Sequence, residues 1–596
     1  MQEFTAPGEV TVDPTENLTT QLWANEKALP DHAIAARRNG DGPFEDITYA
    51  QFAGEVRRVA AGLVSLGLEK GDRVCLFSPT RYEFTLLDYA IWTAGLATVT
   101  IYETSSAEQV EWIVRDSGAR AIICASDELV DVFREQASQI GTCEHVFSIE
   151  SGGIAALVEA GASVPDERVL ELANGVTPDD IATLVYTSGT TGRPKGCVLT
   201  VDNFVWLTRQ VTSIVDTILH PGASTLMFLP LAHIFARLVQ VISVNEGSKI
   251  AYSSGVPMLL DELQMVRPTW MFSVPRVFEK IFNGAKQKAT ADGKGQIFDM
   301  AVHTAIEYSE YSQAGKVPIW TRMLHAVFDR LVYSKLRALF GGRCTYSISG
   351  GAALGGRLGH FYNGIGVTIL EGYGLTETSA GSTVNRPGAV SIGSVGQPIP
   401  GVTVRIDDDG EVLIRGRHIF KGYWQNDAAT ADALRDGWFH SGDIGELDDD
   451  GFLSITGRKK EIIVTAGGKN VAPAVLEDRL RAHPLISQAM VLGDGEPFIS
   501  TLITIDPDEL PRWAGQGGKS GDLAQLIDDE DLHAEIQEAI DDANRAVSKA
   551  ESIRAFRILP EDFTIQGGEL TPTLKVKRTV VANRYRSVIE EIYSGA

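Results

Sequence analysis

Cysteine is scarce in this chain. The 596 residues hold five, Cys75, Cys124, Cys143, Cys197 and Cys344, with no C-x-x-C pair among them. An odd, scattered set excludes a disulfide framework and the usual zinc spacings, and predicts reduced thiols in a cytoplasmic protein. Positive charge is also in deficit. Lys+Arg number 53 against 78 Asp+Glu, a net charge of −25. Such a surface repels nucleic acid and disfavours wholesale adsorption to anionic lipid. A polyanionic small molecule would need a local basic patch. No apolar run reaches the ~20 residues that a membrane span requires. The start, Met1 to Pro7, lacks a basic region followed by an apolar core, so no signal peptide is expected.

The chain exceeds what one hydrophobic core organises, so two or more units are expected. Residues 1–45 read as polar and irregular. Phe52, Val56, Val59, Leu63 and Leu66 then recur at helical spacing. Strands at 73–77, 97–102 and 121–124 alternate with helices at 82–95 and 108–116, which indicates a doubly wound, largely parallel α/β sheet. Residues 281–340 form a helix-rich insertion. Trp320, Met323, Leu324, Val327, Phe328 and Leu331 make one apolar face, and Val332, Leu336, Leu339 and Phe340 continue it with a drift. Burial on the main body is the expected fate of this face; contact with membrane or an acyl chain is the alternative. Residues 391–456 read as short strands and turns. The acidic runs ending at Gly410 and Gly451 have the wrong spacing for calcium loops and read as hairpin turns. The region 458–596 reads as a small α+β domain with a helix over 529–549.

Several segments carry chemistry. An apolar run at 181–186 opens into hydroxyls at Thr187, Ser188, Thr190 and Thr191, glycines at Gly189, Gly192 and Gly196, and one cation, Lys195. Backbone N–H groups, hydroxyls and a lysine make a phosphate cradle. The pattern is not a Walker motif, which places the hydroxyl after the lysine. His233 follows a strand and a proline break; it reads equally as a capping histidine and as a site residue. Gly350, Gly351 and Ala352 make a tight turn where an adenine could lie on backbone. Glu371, Gly372, Tyr373, Thr376 and Glu377 combine a flatly presented ring, a hydroxyl for phosphate and a hard oxygen for Mg²⁺. Asp443 is placed for ribose hydroxyls and Arg458 for ribose or phosphate.

Taken in order, these motifs closely resemble those of the adenylate-forming (AMP-binding) superfamily, which includes acyl-CoA synthetases, luciferases and peptide-synthetase adenylation domains. The resemblance implies a large N-terminal domain over 1–457, with doubly wound sheets and a small β-rich subdomain, and a smaller mobile C-terminal domain over 458–596. It implies ATP, Mg²⁺ and coenzyme A as reactants, an interdomain hinge at Lys460, and a catalytic lysine at Lys575 rather than Lys577. It places His233 beside the acyl carboxylate. The insertion and the runs around His233 and Lys575 look most like bacterial long-chain fatty-acid–CoA ligases, which make acyl-CoA through an acyl-adenylate. A fatty-acyl-AMP ligase serving a carrier protein, and a nucleotide-binding scaffold without turnover, are the rivals. Thermophilic long-chain enzymes carry a tryptophan gate where Arg237 stands here, and Lys469 departs from relatives' spacing, so both roles stay open. The expected partners are fatty acid, ATP and coenzyme A, with no nucleic acid. The expected location is cytoplasmic, with weak peripheral membrane contact through the insertion as the added feature. Chain length and oligomeric state are not legible.

Overall fold

The computed structural model describes residues 2–38, 40, 42–136, 140–141, 143–187, 193–571 and 574–594. A seven-stranded sheet forms its centre, in the order Gly422–Tyr423, Lys195–Thr200, Ile181–Thr187, Ala97–Ile101, Arg73–Phe77, Ala121–Cys124, His145–Ser148. Five of these strands run parallel. Ala97–Ile101 and Ala121–Cys124 are buried on both faces, because helices cover the sheet above and below. The helices begin where their sequences say they should. Thr48 with Gln51 and Ser106 with Gln109 form reciprocal capping boxes for Tyr49–Ser65 and Ala107–Ser117. The strand Ile181–Thr187 then turns back as Lys195–Thr200, with Thr187 directly opposite Lys195. The candidate phosphate loop is thus the connection of a hairpin at the sheet's end.

A second sheet has the order Ser224–Met227, Lys249–Tyr252, Ala33–Arg38, Phe44–Thr48, and a third the order Trp270–Ser273, Tyr346–Ser349, Thr368–Tyr373, Thr383–Val384, Gln397–Pro398. The expectation that residues 1–45 are irregular is corrected here. They contain the strand Glu3–Thr5, the helix Thr20–Ala28 and the strand Ala33–Arg38. Glu3–Thr5 pairs with Thr403–Ile406 and Ala33–Arg38 with Lys249–Tyr252, each more than two hundred residues away, while Ala33–Arg38 also forms a hairpin with Phe44–Thr48. Residues 403–458 build a mainly antiparallel sheet. Gly410 and Gly451 turn its hairpins with φ of 86° and 83°, as the acidic runs suggested.

The insertion is helical: Pro275–Ala291, Gly295–Gln313, Ile319–Phe328 and Ser334–Leu339, with a π-helical turn over Asp329–Tyr333. That turn explains the drift of the apolar stripe, because a wider turn rotates the following residues about the helix axis. Gly364 anchors the insertion; a Cβ there would lie 2.1 Å from the Ala305 carbonyl. Burial of the whole face does not occur. Phe328, Tyr333, Leu336 and Phe340 pack inward, but Trp320, Met323, Leu324, Val327 and Leu331 point to solvent. Only one edge of the stripe reaches the body.

The last region has its own core around Leu476, Ile486, Ile503, Leu532 and Ile536. Its sheet runs Ile486–Leu492, Ile499–Ile505, Ile553–Ile558. The helix read over 529–549 is shorter, Glu530–Asn544. Asp529 caps its first turn, and the chain leaves the axis before Lys549.

Arg237 is not a gate. It is fully buried. Its Nε and Nη2 donate to both oxygens of Asp88 at 3.0 and 2.6 Å, and its Nη1 donates to Thr183 Oγ1 at 2.6 Å. Asp88 also accepts from Thr98 Oγ1 at 2.6 Å and Gln240 Nε2 at 3.0 Å. The cluster pins the helix Ile234–Glu246 to the central sheet, so the side chain has no freedom to swing. Removing one partner strands a buried charge. Arg237→Met should therefore lower stability by about 3–5 kcal/mol, while the double variant Arg237→Met/Asp88→Asn should lose distinctly less. Thermal denaturation of the three proteins reads this. Equal losses in the single and double variants would contradict it.

Candidate active site

A continuous cavity of ≈ 1910 Å³ opens at the carboxyl ends of the parallel strands, where α/β sheets commonly receive ligands. It gathers most of the residues singled out in the sequence: Thr187, Lys195, His233, Gly350, Gly351, Ala352, Glu371, Gly372, Tyr373, Thr376, Glu377, Asp443, Arg458, Lys460 and Lys575. Ser188, Gly189, Thr190, Thr191 and Gly192 lie outside the described residues, as does Pro572.

One group of polar contacts centres on Asp443. This residue is buried, and its two oxygens are divided between two donors. Tyr373 Oη donates to Oδ2 at 2.6 Å, and Arg458 Nε donates to Oδ1 at 2.8 Å. The fifteen-residue gap between Asp443 and Arg458 is closed by strand pairing. They are direct register partners on Trp438–Leu447 and Leu453–Arg458. Tyr373 ends the strand Thr368–Tyr373. The next residue must be glycine, since a Cβ on Gly374 would sit 2.0 Å from the Ala380 carbonyl. Lys459, Lys460 and Glu461 form a short 3₁₀ turn directly after Arg458, where the last region begins.

A second group surrounds Glu377, which lies in the 3₁₀ turn Thr376–Thr378. Tyr423 Oη donates to Glu377 Oε1 at 2.7 Å, and the Lys195 ammonium stands 5.1 Å from the Tyr423 ring centroid. Tyr423 was not read as a site residue. Its pairing strand, Gly422–Tyr423 against Cys197–Val198, delivers it, and a two-residue strand gives no sequence signal. No cluster of three or more metal-ligating side chains occurs among the described residues. A cation here would rest on the Glu377 carboxylate with phosphate and water oxygens, which suits Mg²⁺.

Lys575 enters the cavity from the last region. Leu574 has φ 61°, and Thr571 N donates to the Lys575 carbonyl at 2.8 Å, which is not the backbone of an extended strand at Leu574. Leu574 is half exposed. The Lys575 side chain is accessible to solvent only in the sense that it faces the cavity, and protein surrounds it. This enclosure, and then Arg458, pull its pKa below the ordinary lysine value; Asp443, Glu461 and Glu377 oppose them. Lys577 starts the helix Arg578–Arg584 and does not line the cavity. His233 caps the helix Ile234–Glu246, accepting from Phe235 N at Nδ1 (3.3 Å), and it lines the cavity. Burial, then Lys575, bring its pKa down to about 4, so near neutral pH it is uncharged and carries its proton on Nε2.

The other end of the cavity is apolar. Val211 and Val215 from Val201–Val215, Leu219 just beyond, and Leu238, Val239 and Ile242 from Ile234–Glu246 line it. Their i, i+4 spacing is visible in the sequence, but it reads there as ordinary core. Lining residues come from neither the exposed helix Ile319–Phe328 nor the rest of 281–340.

Residues 22–424 match the model of the AMP-binding enzyme family, and residues 460–596 match that of the AMP-binding enzyme C-terminal domain. A long-chain-fatty-acid–CoA ligase, FadD15, of Mycobacterium tuberculosis is 50% identical over 600 residues, covering 100% of both chains. A long-chain-fatty-acid–CoA ligase, ACSBG2, of Gallus gallus is 32% identical, covering 95% of this chain and 79% of the relative. Among solved structures, an anthranilate CoA ligase in complex with anthranoyl-AMP superposes with a TM-score of 0.75 at 19% identity, covering 97% of this chain and 99% of the other. A Mycobacterium tuberculosis fatty acyl CoA synthetase superposes at 0.63 with 24% identity, covering 97% and 100%.

Glu371 yields a pH prediction. Burial raises its carboxyl from an ordinary 4.5 to about 7, against the pull of the Leu354 N–H, which donates to Oε2 at 2.9 Å. Burial likewise lifts the neighbouring Asp478 to about 6. Between pH 4.5 and about 7 the folded protein therefore holds a proton at Glu371 that the unfolded chain has lost, so stability falls as pH rises through that window. Glu371→Gln should shrink the drop in melting temperature between about pH 5 and pH 8. An unchanged drop would show that Glu371 is ionised throughout.

Proposed function

The chain belongs to the AMP-binding enzyme family, and from that premise we infer that it is a long-chain-fatty-acid–CoA ligase, activating fatty acids through an acyl-adenylate. Full-length 50% identity to enzymes of that name carries the reading. The cavity supports it, since charged groups occupy one end and an apolar tunnel the other. We take residues 1–457 as the body and 458–596 as a mobile domain, with Lys460 as the hinge between them.

A fatty carboxylate is a poor acyl donor, because oxide would have to leave. In the first step a carboxylate oxygen bonds to the α-phosphorus of ATP, the bond to the bridging oxygen breaks, and pyrophosphate departs. Both partners are anionic, so the site must supply positive charge and alignment. We assign Lys195 and the Thr187–Thr191 hydroxyls to the departing phosphates, and Thr376 to the α-phosphate. Gly350, Gly351, Ala352, Glu371, Gly372 and Tyr373 receive the adenine, and Asp443 the ribose. Arg458 keeps the Asp443 carboxylate aimed. Glu377 would hold Mg²⁺, which when bound neutralises phosphate charge. Lys575 stands between carboxylate and α-phosphate. His233, neutral with Nε2–H, is placed to donate to the acyl carboxylate. In the second step the coenzyme A sulfur attacks the acyl carbonyl and AMP leaves with the bonding pair. Rotation about Lys460 would withdraw Lys575 and open a path for the thiol.

Lys575 is useful only while two anions approach, so Lys575→Ala should lose roughly 10²–10³ in fatty-acid-dependent pyrophosphate release. Given preformed acyl-AMP and coenzyme A, it should still form thioester at near the wild-type rate. Lys577→Ala should keep most of its adenylation. Equal damage to both half-reactions, or a dead Lys577→Ala, would refute the assignment; mass spectrometry of the product separates acyl-CoA from a released acyl-adenylate. Asp443→Ala should chiefly raise the KM for ATP, and Glu377→Ala should chiefly lower kcat and shift the Mg²⁺ requirement. Variants that titrate ATP and Mg²⁺ like wild type would overturn that division.

The apolar end offers a test of chain length. Ile242→Trp adds bulk to the tunnel wall, and overpacking there should cost long acids about tenfold or more in kcat/KM while sparing short ones. A uniform loss across a chain-length series would remove Ile242 from the acyl tunnel.

A further inference from the structure

Residues 417–424 tie together two parts of the charged end of the cavity. On one side they pair with the hairpin strand Lys195–Thr200. Lys421 N donates to the Val198 carbonyl at 3.0 Å and Trp424 N to the Gly196 carbonyl at 2.7 Å, with Gly422 and Tyr423 in register with Val198 and Cys197. On the other side they hold the turn Thr376–Thr378 and the residues that follow it. Phe420 N donates to the Glu377 carbonyl at 2.8 Å, Ser379 Oγ donates to the His418 carbonyl at 2.7 Å, and Ser382 Oγ lies 3.0 Å from His418 Nε2. His418 itself is fully buried and stacks on Trp206. Asn203 Nδ2 donates to the Arg417 and Ile419 carbonyls at 2.7 and 3.0 Å, which fixes the start of the segment to the body.

Tyr423 reaches both charged groups, with different parts of its side chain. Its Oη donates to Glu377 Oε1 at 2.7 Å, and the Lys195 ammonium stands over its ring, 5.1 Å from the centroid. Phe420 braces that ring edge-on, at 4.9 Å and 75°, and Tyr423 N donates to Thr430 Oγ1 at 2.9 Å. The terminal torsion of a glutamate is broad, so its own chemistry sets the carboxylate plane only loosely. A hydroxyl that donates to one oxygen of the ionised group sets that plane. An ammonium within ~6 Å of a ring is attracted by the ring's quadrupole, for which the hydroxyl is not needed. The two effects are therefore separable: removing the hydroxyl abolishes the first, and removing the ring abolishes both.

We propose that Tyr423 is a positioning residue for the nucleotide phosphates: its hydroxyl aims the Glu377 carboxylate at the cation of Mg²⁺·ATP, and its ring seats the Lys195 ammonium against the phosphates. The inference rests on the roles given to Glu377 and Lys195 in the ligase reading and adds the residue that couples them. Mg²⁺ demands near-octahedral geometry, so a carboxylate free to turn holds it poorly. Loss of the partner that orients a metal ligand typically costs about 10–100-fold in affinity.

The test measures ATP binding to the full chain by isothermal titration calorimetry, without fatty acid, in EDTA and in saturating Mg²⁺. Tyr423→Phe should bind ATP in EDTA as wild type does, which also shows that it folds, and should bind Mg²⁺·ATP about tenfold more weakly. Tyr423→Leu should in addition lose roughly two- to fivefold in EDTA, because the ring is gone. Glu377→Gln is the control and should lose at least as much affinity for Mg²⁺·ATP as Tyr423→Phe. Wild-type binding of Mg²⁺·ATP by Tyr423→Phe, with a loss in Glu377→Gln, would overturn the proposal and leave the ligase reading standing. An equal loss for Tyr423→Phe in EDTA and in Mg²⁺ would mark a merely structural role and overturn it too. Wild-type affinity of Tyr423→Leu in EDTA would remove the ring's part toward Lys195. Wild-type behaviour of Glu377→Gln would instead sink the metal role of Glu377 itself, and the part of the Tyr423 hydroxyl with it.

Discussion

The carboxylate of Asp443 joins the parts of this protein that must act together. Its two oxygens hold Tyr373, at the end of the strand Thr368–Tyr373, and Arg458, the residue at which the final region begins. A buried carboxylate is costly unless its lone pairs are filled. The ring of Tyr373, the guanidinium of Arg458 and the neighbouring Lys575 are therefore gathered by one electrostatic requirement. The 3₁₀ turn carrying Lys460 begins at the very next residue.

Charge is arranged by place rather than by total. The chain is strongly acidic, yet Lys195, Arg458 and Lys575 line the interior where anions are to meet. Inside a confined site these cations are poorly screened and act at short range. Outside, acidic groups keep the surface hydrated.

Two ion pairs, one buried and one at the cavity wall, serve different ends. Arg237 and Asp88 lie deep in the packed body, with Thr98, Thr183 and Gln240 completing their hydrogen bonds. They lock a helix whose other face forms the apolar tunnel. Arg458 and Asp443 sit at the cavity wall, where a ligand can compete for the carboxylate. The same chemistry is thus rigid where packing is complete and available where the wall is open.

The amino-acid sequence by itself determined the strand–helix alternation of residues 73–124, because hydrophobic period and capping residues are local. It also determined the order of the motifs that we assign to phosphate, adenine and ribose, because the residue types of each are local. Only the tertiary structure decided that the strand Ala33–Arg38 joins Lys249–Tyr252 in one sheet, since that partner lies far along the chain. It placed Tyr423 on Glu377 through a two-residue strand pair that no periodicity marks. It turned Arg237 from an open question into a buried ion pair, because burial depends on neighbours from several elements. It also left Trp320 and its companions in solvent, although their spacing is that of a core helix. Periodicity tells which residues share a face; only the packing of the whole chain tells what, if anything, covers that face.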